Sequence, residues 1–232
     1  MLDVHSHILP NIDDGSPNRE TSLLMIEMLA EDGVTDVVLT PHFYSDEISL
    51  NDFVLKRNNT YSDFIKGYSG NVKLHLGAEV YVTKYLTVYE DITELCIDKT
   101  KYMLIELPFD SVIKDETYEV IDNLIYNYKI VPIVAHIERY PFLYHDKTFN
   151  NVDILISMGC LIQVNTESFL VGKSRKKVLK LIESGKVSFL GSDAHNIKSR
   201  PPTYGKAVKV IQRKLGQNYI NKFKEYQSLI VI

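Results

Sequence analysis

The chain has 232 residues, of which 45% are hydrophobic and 24% are charged, and its 26 basic and 30 acidic side chains give a formal net charge of −4. A chain of this length can form a hydrophobic core without a structural metal ion or a disulfide bond. Because lysine and arginine are scattered through a mildly acidic chain, the sequence argues against nucleic-acid binding.

Several features predict one domain in the cytoplasm. The sequence has no apolar stretch long enough to span a bilayer and no secretory leader, so we expect no membrane insertion. Cys96 and Cys160 lie among apolar residues and form no Cys-x-x-Cys pair, which favours a reducing compartment. No linker interrupts the chain, so residues 1–232 are predicted to form a single domain. The sequence leaves open whether the protein forms a homo-oligomer.

Short runs rich in valine, isoleucine and leucine recur along the chain, as in strands that are buried on both faces. The predicted strands are Leu2–His7, Thr35–His42, Val72–Tyr81, Tyr102–Leu107, Ile130–His136, Cys160–Asn165 and Val187–Asp193. Segments with helical spacing of apolar residues lie between them, including Arg19–Asp32, Thr117–Tyr128 and Lys176–Ser184. This alternation predicts parallel pairing in an α/β fold, and seven strands favour a distorted (β/α)7 TIM-like barrel. An open doubly wound sheet is the alternative.

Six of the seven predicted strands end on, or within two residues of, a side chain that commonly binds metal ions. In both architectures, functional residues gather at the carboxyl ends of the strands. These candidates are His5, His7, His42, Glu79, Glu106, His136, Asp193 and His195, and the loop after the first strand adds Asp13 and Asp14. Imidazole and carboxylate without thiolate suit Mn, Zn, Fe or Co. The number of ligands predicts two or three ions.

Spacing within the set strengthens this prediction. His5 and His7 are two residues apart on a strand, so both imidazoles point to the same face, and Asp193 and His195 repeat that spacing. A single His-x-His pair is often structural, and it is the conjunction of six strand ends that favours a metal centre. Arg139 and Arg200 follow two of these ends, where a guanidinium can bind phosphate oxygens; an ordinary surface arginine is the alternative for each.

Other routes to phosphate chemistry are not supported by the sequence. A cysteine-dependent phosphatase needs Cys-x5-Arg, but Tyr102 and Thr166 stand at the arginine position after Cys96 and Cys160. The sequence also lacks the Gly-x4-Gly-Lys-Ser/Thr loop and the Gly-x-Gly-x-x-Gly turn that hold nucleotide phosphates.

Taken together, these motifs resemble the polymerase and histidinol phosphatase (PHP) superfamily. More closely, they resemble the bacterial metal-dependent protein-tyrosine phosphatases of capsular and exopolysaccharide gene clusters. The segments are Asp-Val-His-Ser-His at 3–7, Asp-Asp-Gly at 13–15, Thr-Pro-His at 40–42, Gly-Ala-Glu-Val-Tyr at 77–81, Ala-His-Ile-Glu-Arg-Tyr at 135–140, Ser-Asp-Ala-His-Asn at 192–196 and Arg-Pro-Pro at 200–202.

The resemblance implies a manganese-dependent site with three ions in a distorted barrel. By position, the implied metal ligands are His5, His7, Asp14, His42, Glu79, Glu106, His136, Asp193 and His195, with Glu79 expected to bridge ions. Arg139 and Arg200 match phosphate-binding positions, and His42 and His195 are also expected to act in catalysis. The segment Phe43–Asn71 is expected to form a loop and a helix near the site entrance.

The implied reaction is hydrolysis of phosphotyrosine in a protein, an autophosphorylated bacterial tyrosine kinase that regulates polysaccharide export. Three alternatives stay open at this point. The same chemistry could hydrolyse histidinol phosphate or another small phosphomonoester. The protein could bind phosphotyrosine without turnover, although every ligand position is retained. A nuclease or polymerase-editing activity is the least favoured, because the chain is acidic.

Overall fold

Strands and helices alternate along the chain in the computed structural model, which describes residues 1–145 and 148–231. The strands are β1 (Leu2–Ser6), β2 (Asp36–Leu39), β3 (His42–Phe43), β4 (Lys73–Leu76), β5 (Glu79–Tyr81), β6 (Tyr102–Glu106), β7 (Val131–Val134), β8 (Leu161–Asn165) and β9 (Phe189–Gly191). The helices are α1 (Arg19–Glu31), α2 (Leu50–Ile65), α3 (Asp115–Tyr126), α4 (Phe142–His145), α5 (Asn150–Met158), α6 (Gly172–Glu183), α7 (Tyr204–Leu215) and α8 (Gln217–Gln227). Three residues of the predicted 1–232 domain, at 146, 147 and 232, lie outside the described part.

The paired strands are all parallel and form a closed ring. Their order is β1-β2-β4 in one sheet and β3-β5-β6-β7-β8-β9 in the other. Since β2 leads into β3 and β4 into β5, these strands occupy seven positions. The N–H of Asp193 donates to the His5 carbonyl (2.8 Å), and the N–H of His7 donates to the Ala194 carbonyl (3.0 Å), which joins the last position to the first. The predicted (β/α)7 barrel is confirmed, and the open sheet is excluded.

Two predicted strands are each interrupted, so their prediction as continuous strands was wrong. Thr35–His42 breaks at Pro41, which has no N–H to continue a ladder, and Val72–Tyr81 breaks at Gly77. Before the break β2 pairs with β1 and β4, whereas after it β3 pairs only with β5. The N–H of His42 instead donates to Asp13 Oδ2 (3.1 Å), so the loop after β1 fills the gap between β1 and β3.

The predicted helices are present with slightly different ends. An Asn18 side-chain oxygen accepts from the Thr21 N–H and caps α1, whose Met25 and Leu29 are buried against the sheet. The segment Phe43–Asn71 contains α2, as expected, and the structure adds α4, α5, α7 and α8 to the predicted helices. No helix in the described ranges has the length and apolar character needed to cross a bilayer.

Buried apolar residues form two clusters. The larger lies mainly between the strands and the surrounding helices. The smaller contains residues from five strands, which places it inside the ring: Leu2, Val4, Val38, Leu104, Ile133 and Phe189. Ile230 also belongs to this smaller cluster, and Tyr226 of α8 packs against it. Apolar side chains thus fill the interior of the barrel, and polar side chains lie at the carboxyl ends of its strands.

Candidate metal centre

The nine predicted ligands lie together at the carboxyl end of the barrel. They come from distant parts of the chain, but strands position several of them: His42 and Glu79 begin β3 and β5, Glu106 ends β6, and His136 follows two residues after β7. His136 adopts a φ of 32° and Asp193 a φ of 50°, which residues other than glycine rarely do. Strained backbone of this kind is often found at functional sites.

Potential ligand atoms form three groups in which all atoms lie within 4.8 Å of one another. The groups are His7 with Asp14, His42 and His195; His5 with His7 and Asp193; and His42 with Glu79 and Glu106. The first group shares His7 with the second and His42 with the third. His136 belongs to none of them, but its Nε2 lies 2.9 Å from Glu79 Oε1 and 3.3 Å from Glu106 Oε1.

Glu79 lies at the middle of the arrangement. Its Oε2 is 3.2 Å from His5 Nε2, 3.1 Å from His7 Nε2 and 3.1 Å from His42 Nδ1. The side chain is 1% exposed. A carboxylate in contact with residues of all three groups has the position that a bridging ligand requires.

Burial and clustered charge act against each other on the pKa values of these side chains. Burial raises the pKa of Glu79, but the neighbouring histidines outweigh it and hold the pKa well below its usual value. Burial lowers the pKa of His136, but Glu106 and Glu79 outweigh it and raise the pKa to about 9. Burial lowers the pKa of His195 to about 4, and the charge on His7 adds to this. The cluster therefore holds an ionised Glu79 at neutral pH.

The residues fit metal ions. Four buried side-chain atoms of the centre make no well-aligned hydrogen bond within the described residues, although three of them have an oppositely charged neighbour within 3.5 Å: His42 Nδ1, Glu79 Oε2, His136 Nδ1 and His195 Nε2. Buried polar atoms are nearly always paired, and cations would complete three of the ligand groups above. The set of imidazole nitrogens and carboxylate oxygens suits Mn, Zn, Fe or Co. Burial raises the pKa of both cysteine thiols, Cys96 and Cys160, to about 12, so neither is a nucleophile or a ligand.

Asp13 is also a functional candidate. Residue type does not distinguish it from the adjacent Asp14, but the two side chains have different contacts in the structure. The His7 Nδ1–H donates to Asp13 Oδ2 (2.8 Å), so the His7 Nε2 is the nitrogen directed at the centre. Asp14 is exposed and has its Oδ1 3.5 Å from His42 Nε2 and 3.4 Å from His195 Nε2. Gly15 is the next residue of this loop. A side chain does not fit there, because a Cβ would lie 2.2 Å from the His7 carbonyl oxygen.

Two amides on β8, the strand without a predicted ligand, link three parts of the centre. Gln163 Oε1 accepts from the His136 N–H (2.7 Å) and lies 3.2 Å from His5 Nδ1. Gln163 Nε2 donates to Asn165 Oδ1 (2.9 Å), and Asn165 Nδ2 donates to Asp193 Oδ2 (2.7 Å). The sequence signal was the pair of polar residues, two apart, at the carboxyl end of an apolar strand.

Both predicted arginines reach the centre. Arg139 Nη1 is 2.9 Å from Asp193 Oδ2, and Arg200 Nη2 is 2.8 Å from Asp193 Oδ1. Their side chains are 39% and 31% exposed, so both guanidinium groups lie between the buried ligands and solvent. A phosphate ester that approaches the ligands from solvent would meet them.

Comparisons with known proteins agree with this fold. The family model described as capsular polysaccharide synthesis, CpsB/CapC, matches residues 1–229. The tyrosine-protein phosphatase CpsB of Streptococcus agalactiae is 30% identical over 236 residues, which covers 96% of this chain and 94% of the relative.

Solved structures extend the likeness. One comes from work on YwqE from Bacillus subtilis and CpsB from Streptococcus pneumoniae, described as metal-dependent tyrosine phosphatases. It matches with a TM-score of 0.82 and 23% identity, over 100% of this chain and 94% of that chain. A histidinol phosphate phosphatase from Lactococcus lactis matches with a TM-score of 0.53 and 15% identity, over 91% of this chain and 92% of that chain. These two likenesses concern the fold alone. By its sequence, however, the chain belongs to the CpsB/CapC family of capsular polysaccharide synthesis.

Proposed function

We propose that this protein is a metal-dependent phosphatase that hydrolyses phosphotyrosine in a protein substrate. The observation that carries the proposal is the position of Arg139 and Arg200, which flank three groups of potential metal ligands at the mouth of the barrel. Metal ions beside arginine forks suit a phosphate ester. The relative from Streptococcus agalactiae, which bears the name of a tyrosine-protein phosphatase, supports phosphotyrosine as the substrate.

The proposed cofactor is manganese, with one ion for each ligand group. The residues that would hold the ions are His5, His7, Asp14, His42, Glu79, Glu106, His136, Asp193 and His195. When bound, the ions supply Lewis-acid stabilisation of phosphate charge and a water nucleophile at neutral pH. The donor atoms suit manganese, zinc, iron and cobalt alike, so they do not select one metal. The resemblance to bacterial PHP-type phosphatases favours manganese.

The arginines bind the phosphoryl group in this mechanism. A guanidinium has five N–H donors, and its contact with Asp193 uses one in each arginine, which leaves donors for phosphate oxygens. Charge on these oxygens is the feature that the protein must stabilise as the phosphorus–oxygen bond to the phenol breaks. We therefore assign substrate binding and transition-state stabilisation to Arg139 and Arg200.

His42 and His195 lie next to exposed Asp14, at the solvent side of the centre. In addition to binding metal, they are proposed to orient water beside the phenolate that leaves. That water would give a proton to the phenolate. Phenolate is a good leaving group, so this proton transfer contributes less to the rate than charge stabilisation does. Asp13 and Gln163 hold His7 and His5 in the orientation that directs each Nε2 at the centre.

The proposed substrate is an autophosphorylated bacterial tyrosine kinase that controls capsule or exopolysaccharide synthesis. The family to which the chain belongs supports this role. We propose that the kinase is autophosphorylated in the cytoplasm, and we therefore place the phosphatase there as well. We also propose that residues 1–232 act as a single PHP-type domain.

Phosphate release from a phosphotyrosine peptide by chelator-treated protein, with and without Mn²⁺, tests the proposal. A phosphoserine peptide and histidinol phosphate are the comparison substrates. Manganese-restored release that is confined to phosphotyrosine is expected. Preference for histidinol phosphate would instead assign the site to a small-molecule phosphatase, and binding without release would make the protein a phosphotyrosine-binding module.

A further inference from the structure

Phe109 lies at the edge of the metal centre with 44% of its surface exposed. Its ring stacks on the His136 ring, with centroids 5.8 Å apart and an interplanar angle of 23°. The Arg139 guanidinium carbon lies 5.5 Å from the Phe109 centroid. Isolated apolar side chains are common on protein surfaces, but this ring contacts both a potential metal ligand and a phosphate-binding candidate.

The position of Phe109 is fixed by its neighbours. The Leu107 N–H donates to the Tyr140 Oη (2.8 Å), which holds the chain as it leaves β6. Pro108 restricts the next backbone step, and the Tyr140 ring lies 5.1 Å from the Phe109 ring. An exposed ring that is held in place from behind is prepared to contact a ligand in front.

A groove of about 520 Å³ begins at this ring. Phe109 and Tyr81 both line it, and Tyr81 is paired in register with Glu106 of the centre. Behind Tyr81, the ring of Tyr44 is 5.5 Å away and stacks on His42 at 5.3 Å. Two aromatic side chains of the groove, Phe109 and Tyr81, therefore lie next to residues of the metal centre.

A second pocket, of about 370 Å³, also meets the centre but has a less suitable charge. Its lining includes the carboxylates of Asp13, Asp14 and Glu47 and one lysine, Lys56. Carboxylates that outnumber the nearby cations repel a phosphate ester. In the first groove, Lys84 and Lys114 offset the two lining carboxylates, Asp110 and Glu116, and Arg139 lies against the ring of Phe109. The groove between Tyr81 and Phe109 is therefore the better path for the part of the substrate that carries the phosphate.

We propose that Phe109 and Tyr81 hold the phenyl ring of phosphotyrosine, and that Phe109 makes the site selective for aryl phosphates. This inference rests on the proposed phosphatase function. One oxygen links phosphorus to the ring in phosphotyrosine, so a phosphoryl group on Arg139 places the ring beside Phe109. In phosphoserine a methylene group takes that place, and the aromatic contact is lost.

The test compares Phe109→Ala, Phe109→Tyr and the wild type, with Val112→Ala as a control. Val112 is 64% exposed in the same loop and does not line the groove. Phe109→Ala is expected to raise KM for a phosphotyrosine peptide and for phenyl phosphate about tenfold, because an aromatic contact is lost. The inhibition constant of inorganic phosphate, which has no ring, is expected to change less than about twofold. Phe109→Tyr and Val112→Ala are expected to match the wild type.

Bound manganese and thermal unfolding are measured for each variant, to show that the centre is intact. Equal weakening of phosphate and aryl ester would mean that Phe109 only supports Arg139, and it would overturn the inference. So would an unchanged KM in Phe109→Ala, while the proposed function would stand. Wild-type protein that releases no phosphate from either aryl ester would overturn the proposed function together with the inference.

Discussion

Gln163 Oε1 lies 3.2 Å from His5 Nδ1, at the carboxyl end of a strand that contributes no potential ligand of its own. An amide oxygen only accepts hydrogen bonds, so the proton of neutral His5 is held on Nδ1 and the lone pair on Nε2. That is the nitrogen 3.2 Å from Glu79 Oε2. The orientation of a ligand is thus set by a neutral residue behind it.

Replacement of Gln163 by leucine removes this acceptor and is expected to weaken metal binding by about 10- to 100-fold, the usual effect of losing such a support. Metal titration of the chelator-treated protein measures this. Gln227→Leu is the matched control, because Gln227 is also buried but is bonded to the Leu2 carbonyl, outside the centre. Equal affinity in Gln163→Leu and wild type would show that His5 needs no such support.

His136→Ala is expected to abolish turnover and reduce the amount of bound metal. The imidazole Nε2 is 2.9 Å from Glu79 Oε1, and its loss leaves two buried carboxylates, Glu79 and Glu106, without that partner. Phosphate release and metal content report the effect. His75→Ala removes a histidine outside the centre and should retain both. Near-normal activity of metal-loaded His136→Ala would remove His136 from the set of ligands.

Arg139→Ala and Arg200→Ala are each expected to lower kcat/KM for a phosphotyrosine peptide by about 100-fold or more, because each removes a charged donor from the phosphoryl group. Lysine at either position should restore only part of the rate, since it lacks the planar fork. The exposed Arg213 in α7 provides the control, Arg213→Ala. Kinetics that are unaltered in an alanine variant would leave that arginine with no part in the reaction.

Gly15→Ala is expected to destabilise the protein by about 2 kcal/mol or more, because overpacked sites force backbone shifts. The new Cβ would lie 2.2 Å from the His7 carbonyl oxygen and 2.5 Å from the His7 Cβ. Urea unfolding measures the change, and metal affinity should fall with it as His7 moves. Gly172→Ala serves for comparison, since a Cβ there meets only the end of Arg175 at 4.0 Å.

His75 provides a pH-dependent contribution to stability away from the centre. Its Nδ1 is 2.6 Å from Asp98 Oδ2, and its Nε2 is 3.1 Å from Asp36 Oδ1. The hydrogen bond to Asp98 raises the pKa of His75, although burial opposes it, and Asp36 adds to the rise. Burial raises the pKa values of both aspartates, but their hydrogen bonds, including those to His75, outweigh it and lower them.

The direction of the pH dependence follows from the linkage between protonation and folding stability. Protonated His75 stabilises the fold fully below its unfolded pKa of about 6.5, and this is lost as pH rises through the higher folded pKa. Ionised Asp36 and Asp98 contribute above about pH 4, and this is lost as pH falls through their lowered pKa values. His75→Gln should therefore cost about 1 kcal/mol at pH 5.5 and less at pH 9, as for a partly exposed charged pair. Urea unfolding at both pH values checks this, and equal losses would contradict it.

Much of the site can be predicted from the sequence, because the ends of the strands can be recognised in it. Apolar runs mark the strands, parallel strands end on one side, and the side chains at those ends carry imidazole or carboxylate groups. The interruption at Pro41 was harder to predict, since the run on either side of it is equally apolar. The structural result is that His42 bonds to the loop after β1 rather than to a neighbouring strand.

Other features depend on contacts that no local pattern contains. Asp13 and Asp14 are adjacent and chemically identical, and only the path of the loop decides that Asp13 turns toward His7 while Asp14 stays exposed. Gln163 is a neutral amide, which does not by itself indicate a metal centre. Phe109 is one of several exposed aromatic residues, and it is distinguished by its contacts with His136 and Arg139.

The hydrogen bond between the Asp193 N–H and the His5 carbonyl has a consequence for how the protein matures. Potential ligands occur from the fifth residue to position 195, and the first and last of them meet only when the ring is closed. A nascent chain that has not yet released Asp193 and His195 from the ribosome therefore lacks two of the three ligand groups in complete form. Completion of the centre must therefore follow translation through His195, and a product truncated before Asp193 would lack a residue from each of two ligand groups.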